Sequence, residues 1–232
     1  MNKTCCNGAM VALDPEMKVF ELIDAYPELL SIFSRLGITL PFGDISVEQM
    51  CRRDGYSSKL FMLICRMHID LSYIPTSEHI SEDMLGPVIG YLRATHRYYM
   101  EYMLPHTGKH LNDILEHCDE LSRSMLSRFY ADYVACIEEH LGDEEQRLFS
   151  NVERSETSAD MCNYELDQPH SDIDDRTGDI ASLIVKCLPE EAPTTLRCTM
   201  LAHIYMLRDD LRRHHNIERY LLRPLVEKFV NK

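Results

Sequence analysis

The run His140-Leu141-Gly142-Asp143-Glu144-Glu145-Gln146-Arg147-Leu148-Phe149 decides how this chain is read. Taken as helix, it puts His140 and Glu144 one turn apart on one face. An imidazole and a carboxylate so placed can hold one metal ion, or one can bind while the other bridges to a second. Glu145 falls one residue round the helix, outside the pair, and its loss is expected to leave a metal count unchanged. The pattern returns as His214 and Glu218, and in both copies a Leu stands four residues after the Glu, at Leu148 and Leu222. With 11 His and 20 Glu in 232 residues, about one such pair arises by chance. The surroundings of the two pairs must therefore carry the reading.

Outward from these pairs, the pattern predicts four long helical stretches. The first runs from about Glu82 to Cys118, bent where Pro105 removes a backbone donor. The second covers about Asp119 to Glu153, the third about Ser158 to Leu188, and the fourth starts near Pro193, a good N1 residue, and reaches Val230. Short connections make antiparallel neighbours, and an up-down-up-down four-helix bundle over 82–232 is the simplest packing. The fold class is therefore all-α.

Each stretch carries one histidine able to reach a common level: His96, His140, His170 and His214. With Glu144 and Glu218 they form a set of four His and two Glu, suited to two iron or manganese ions bridged by the carboxylates. Alone, each inward group is a costly buried polar atom; on a metal, all are satisfied together. His68, His79, His106, His110, His117, His203 and His215 are read as surface or hydrogen-bonded core residues. His110 lies about 21 Å beyond His96 by helical rise, and His215 is turned about 100° from His214. Cys136, one turn before His140, is read as a small core residue in preference to a soft ligand. Asp174, one turn after His170, sits among Ser171, Asp172 and Asp175 and is read as part of a hydrated face.

Upstream, residues 1–14 form a loose leader containing Cys5-Cys6, followed by a small helical domain over 15–75. Val19, Leu22, Ile23 and Tyr26 share one helical face, and Pro27 opens a second helix in which Leu29, Leu30, Ile32, Phe33 and Leu36 line up. Gly37 is placed as a C′ glycine, 40–44 is a turn, Ser46 caps a short helix ended by Gly55, and a further helix spans about 57–70. Residues 71–81 lack a clean period, contain Pro75 and mark the domain boundary.

A formal net charge of −14 disfavours phosphate backbones and anionic membranes, which argues against nucleic-acid and membrane partners. Nine cysteines with no CxxC read as reduced thiols. No signal-peptide core precedes Asp14 and nowhere do 18 apolar residues run together, so a cytoplasmic protein is expected.

The residues also carry a family resemblance. His140-x-x-x-Glu144-Glu145 with Leu148-Phe149 resembles the second-helix motif of haemerythrin-like (HHE) domains, and His214-x-x-x-Glu218 with Leu222 and Pro224 resembles the fourth. His96 with Leu104-Pro105 is similar to the first-helix signature, and Pro169-His170-Ser171-Asp172 fills the third. Within that superfamily the chain is most similar to the repair-of-iron-centres branch, whose small N-terminal domain resembles the stretch from Val19 to Ile38. Oxygen-carrying haemerythrins place a second His where this chain has Asp174. The resemblance implies a non-haem di-iron centre linked to nitrosative and oxidative stress. One departure is plain: the repair proteins carry a Cys-Cys pair in the N-terminal domain, where this chain has Leu40-Pro41-Phe42-Gly43.

Two classes of function follow. One is a di-iron protein that reacts with NO or O2 species and supports repair of iron–sulfur proteins, its prospective partners. The other is a binding module, a sensor or iron store without turnover. A metal-free helical scaffold is the third reading.

Overall fold

The computed structural model describes residues 12–39, 41–154, 167–186, 188, 190 and 192–230. Residues 1–11 with Cys5-Cys6, Leu40, Cys162, Cys187, the start of the third helical stretch and the side chain of Pro169 lie outside the described residues. Regular structure among the described residues is helical, with no strands and one isolated antiparallel bridge between Lys18 and Ser46. The chain divides into two compact units, Met1–Tyr73 and Ile74–Lys232, with the division inside the Pro75-containing stretch.

In the first unit, α1 (Val19–Ala25) buries Val19 and Leu22. Pro27 then opens a 3-10 turn, Pro27–Leu29, that leads into α2 (Leu30–Arg35). The sequence pattern puts Leu30 on the inner face, yet it is 46% exposed. A 3-10 turn advances about 120° per residue instead of 100°, and that shift carries Leu30 outward. Gly37, at φ 65°, ends α2 in the left-handed conformation. The amide of Ile38 donates to Phe33 O at 2.9 Å and that of Gly37 to Ser34 O at 3.2 Å, the paired bonds of a Schellman end. α3 (Val47–Asp54) starts with a reciprocal capping box between Ser46 and Gln49 and stops at Gly55, φ 78°. α4 (Ser58–Ile69) completes the unit. Phe61 meets Phe33 edge-on at 5.6 Å, and Phe42 meets the same ring at 5.4 Å. His68 is buried there, with its Nδ1 3.2 Å from Ile64 O and its Nε2 3.4 Å from Arg35 Nη1.

Among the described residues, the second unit contains a 3-10 turn, Glu82–Met84, and four longer helical runs. The first is α5 (Leu85–Tyr98), a π-helical segment Tyr99–Met103, and α6 (Leu104–Leu115). The second is α7 (Glu120–Asp143), a π segment Glu144–Phe149, and α8 (Ser150–Glu153). The third is α9 (Asp167–Lys186), and the fourth is α10 (Thr194–Ile217), a π segment Glu218–Leu222, and α11 (Arg223–Val230). Asp119 caps α7 by accepting from Ser122 N at 2.8 Å. Pro193 is the N-cap of α10, one residue earlier than the N1 position expected of it. α6 packs against α7 and α10, and α9 packs against the same two. Between them lies a core that includes Ile114, Tyr133, Ile137, Ile184, Met200, Ile204 and Leu207, all fully buried.

Pro105 interrupts the first run without ending it. The π segment ahead of it loosens the i→i−4 ladder where proline cannot donate, and the helix resumes at Leu104. The other two π segments begin at Glu144 and Glu218 themselves. π turns are rare, and they concentrate at functional sites. No helix among the described residues is long and apolar enough to cross a membrane.

Candidate metal centre

The six residues picked from the sequence come together in the second unit, as two overlapping groups. His96, Glu144, His214 and Glu218 present ligand atoms within 4.8 Å of one another, and so do His140, Glu144, His170 and Glu218. The two carboxylates belong to both groups. His96 comes from the end of α5, His140 from the end of α7, His170 from the first turn of α9 and His214 from the end of α10. Glu144 and Glu218 each stand one turn past a histidine, at the first position of a π segment.

The carboxylate oxygens divide between the two groups. Glu144 turns Oε1 toward His140 Nε2 at 3.2 Å and Oε2 toward His96 Nε2 at 3.2 Å. Glu218 turns Oε1 toward His214 Nε2 at 2.7 Å and Oε2 toward His170 Nε2 at 3.1 Å. The Nε2 atoms of His140 and His170 face each other at 3.1 Å. One pair of histidines thus shares one oxygen from each carboxylate, and the other pair shares the remaining two.

Burial makes this arrangement costly for the protein alone. Glu144 and Glu218 are fully buried, and their four oxygens lack hydrogen-bond partners, as do Nε2 of His96 and of His214. Taking a carboxylate out of water costs on the order of several kcal/mol after relaxation, and an unpaired polar atom adds its own desolvation penalty. A donor set of four imidazoles and two carboxylates, with its lone pairs converging and unsatisfied, fits cations. The buried cluster can hold metal.

Protons partly stand in for cations. Burial opposes charge on His214, but Glu218 and Glu144 hold its pKa up to about 10. Burial also works against His96, and the contacts to Glu144 and Glu145 outweigh it and raise the pKa. Burial lowers that of His140 in spite of Glu144 and Glu218. Glu218, which burial alone would push up, is held well below the usual carboxylate range by His214 and His170.

Three neighbours of the six have partners that the sequence pattern does not show. Glu145 is part of the centre's support: it accepts from His96 Nδ1 at 3.0 Å and from Arg93 Nε at 2.8 Å. Arg93 also reaches Glu153, tying α5 to α8. A carboxylate on the far nitrogen fixes the tautomer, so that the lone pair of Nε2 points inward. Only the neighbouring helix shows this; nothing in the local run around His140 could. His215, expected to face away, is outside both groups, but its ring lies 3.9 Å from that of His170. Asp174 is neither ligand nor merely hydrated, since it receives Arg212 at 2.8 and 3.0 Å. Cys136 is half-buried against the core and belongs to neither group.

Two aromatic rings close the inner side. Phe149 stacks on His96 at 5.4 Å, and Tyr99 stands edge-on to His214 at 5.7 Å. On the His170 side a cavity of about 230 Å³ opens to solvent, lined by His170, Asp174, Arg212, His215 and Arg219 among others. His170 is the most accessible of the four histidines, with 10% of its side chain exposed. No protein-family model matches the chain, and no curated protein matches it.

Proposed function

We propose that the second unit is an up-down-up-down four-helix bundle of the haemerythrin-like kind, holding two non-haem iron ions, or manganese in their place. Its task is to react with NO or O2 species under nitrosative and oxidative stress and to support repair of iron–sulfur proteins. The observation that carries this reading is the division of oxygens: each carboxylate offers one to each histidine pair. A mononuclear site needs no such sharing, whereas two cations bridged by two carboxylates do. Glu144 and Glu218 would then be shared between the two ions, with His96 and His214 holding one and His140 and His170 the other.

An iron ion that takes up to six donors would have positions to spare beyond two imidazoles and two carboxylate oxygens, which binding of a diatomic requires. When bound, the iron pair supplies reversible redox chemistry and a place for a small diatomic ligand. The chain does the rest. Phe149 and Tyr99 exclude water from the His96–His214 side, Glu145 holds the His96 tautomer, and the cavity beside His170 gives a small molecule its approach. The resemblance to the repair branch supports the stress-response assignment, and a cytoplasmic setting accords with the cysteine usage.

A second reading, a di-iron sensor or iron store without turnover, is favoured by the thiols of the first unit. Burial and nearby Glu48 and Asp54 push the Cys51 thiol up to about 12, and burial raises Cys65 well above its ordinary value. Neither is a reactive thiolate. Phe42 packs where the repair branch carries Cys-Cys, which argues against passing iron or NO through thiols there.

Iron analysis with an optical spectrum of anaerobically purified protein tests the metal assignment. Two irons per chain are expected, and metal-free protein with an intact helical spectrum would overturn it. A reductive assay with NO or O2 separates the two functions, because a sensor binds one equivalent per centre and stops.

A further inference from the structure

A second group of ligating side chains stands apart from the buried centre. His106 and His110 lie one turn apart on α6, and His203 lies on α10, which packs against α6. Their ligand atoms fall within 4.8 Å of one another. His203 and His214 are eleven residues apart on one helix, about 16 Å by helical rise, so this group shares no ion with the first.

We infer that His106, His110 and His203 form a separate, solvent-facing metal site for a borderline divalent transition ion such as zinc. The separation of the first two fits such an ion. Their Nε2 atoms face each other at 3.3 Å. Two imidazoles on one tetrahedral zinc at the usual 2.0–2.1 Å stand roughly 3.3–3.4 Å apart, which this separation matches. The rings converge as well: His203 lies 4.3 Å from His110 and 5.0 Å from His106, centroid to centroid. Nδ1 of His203 is buried and has no hydrogen-bond partner. A structural core histidine would have found one.

The flanking groups fit the same purpose. The Asp113 carboxylate lies 3.8 Å from Nδ1 of His110. That is beyond hydrogen-bond reach, and the carboxylate adds negative charge beside the ring. Tyr102 stacks on the exposed ring of His106, 8° from parallel at 6.0 Å, and limits its rotamers.

The donor set defines the metal. Three neutral imidazoles without a carboxylate suit zinc, copper or nickel, whereas oxygen-rich sets suit magnesium, calcium and manganese. The buried centre, with four carboxylate oxygens, has the harder donors. Three ligands on an exposed face also leave a fourth position for water or an exogenous group, so the ion should exchange readily.

The test compares the full-length protein with the His106→Gln/His203→Gln double variant by equilibrium dialysis against zinc. Wild type should bind one more zinc than the variant, and that zinc should be held more than about 100-fold more tightly than the variant's residual binding, beyond what losing an outer partner causes. Cobalt(II) in place of zinc should give visible d–d absorption of a tetrahedral site in wild type and not in the variant. Equal zinc in both folded proteins, with no difference in the cobalt spectrum, would overturn the inference. Should the double variant fail to fold, His106→Gln alone, at an exposed position, should weaken zinc binding by at least about tenfold, and unchanged affinity there would overturn it equally.

Discussion

Replacing Glu145 by Ala should separate metal affinity from protein stability. The carboxylate makes two contacts, with His96 Nδ1 at 3.0 Å and Arg93 Nε at 2.8 Å. Its side chain is 34% exposed, so water screens both, and the loss of global stability should stay under about 1 kcal/mol. Metal binding should suffer more. Without the acceptor, His96 is free to take the other tautomer or rotate, and its Nε2 lone pair no longer has to point inward. Outer carboxylates of this type contribute about 10–100-fold in metal affinity, which is about 1.4–2.8 kcal/mol. The loss should fall on the position shared by His96 and His214, leaving the His140–His170 position as it is. Stepwise removal of metal by a competing chelator, with iron content and thermal melting measured in parallel, reads both quantities. Glu145→Gln keeps an oxygen for Nδ1–H but not the charge, and should lie between Ala and wild type. If Glu145→Ala kept wild-type affinity at both positions, the supporting role would be wrong. Loss of both ions together would instead put Glu145 among the bridges.

The bridging carboxylates should matter more than a terminal histidine: Glu144→Ala or Glu218→Ala should give mononuclear or empty protein, since repulsion between cations roughly 3.5–4 Å apart is then less compensated. His170→Ala, whose place water can fill, should keep two irons with altered reactivity; the opposite order in iron analysis would exchange these roles. A fragment over 74–232 should fold and hold the same metal as the full chain, because all six ligands lie in the second unit; a folded but metal-free fragment would show a missing ligand. In metal-free protein, stability from protonated His214 is complete below its ordinary value of 6.5 and is lost as pH rises through about 10. Chelated wild type should therefore lose stability relative to His214→Gln between those limits, and a gap that widened with pH would contradict the assigned contacts. Metal uptake at neutral pH should release a proton from His214, whose pKa is held up to about 10, so affinity should rise with pH. Calorimetry in buffers of different ionisation enthalpy counts the protons released.

The local punctuation of this chain was legible because its physics is local. Gly37 and Gly55 have positive φ, as helix-ending glycines do, and Ser46 with Gln49 makes its capping box within four residues. Pro27 opens a helical turn as its fixed φ allows, but the sequence cannot say that the turn is 3-10, and so Leu30 was misplaced. The π segments are of the same sort. Nothing within Glu144–Phe149 or Glu218–Leu222 marks an extra residue per turn, because what holds them open is the packing of several helices around buried polar groups.

The six clustered side chains were legible for a different reason. An inward histidine or glutamate on an otherwise apolar helix face demands compensation, and several such demands at one level of a core have few solutions other than metal. That argument is global, and it fails where burial is absent. His106 and His110 repeat the one-turn spacing of His140 and Glu144, yet on a half-exposed surface a neutral imidazole incurs no penalty that needs explaining. Their meaning emerges only when α10 brings His203 alongside. Glu145 falls between these cases. Its neighbour Glu144 is wholly buried and Glu145 is not, so the sequence rule that separates inside from outside also separates the clustered carboxylate from its support. What that rule misses is that a carboxylate at the rim can govern an imidazole at the centre through the nitrogen that faces away from the metal.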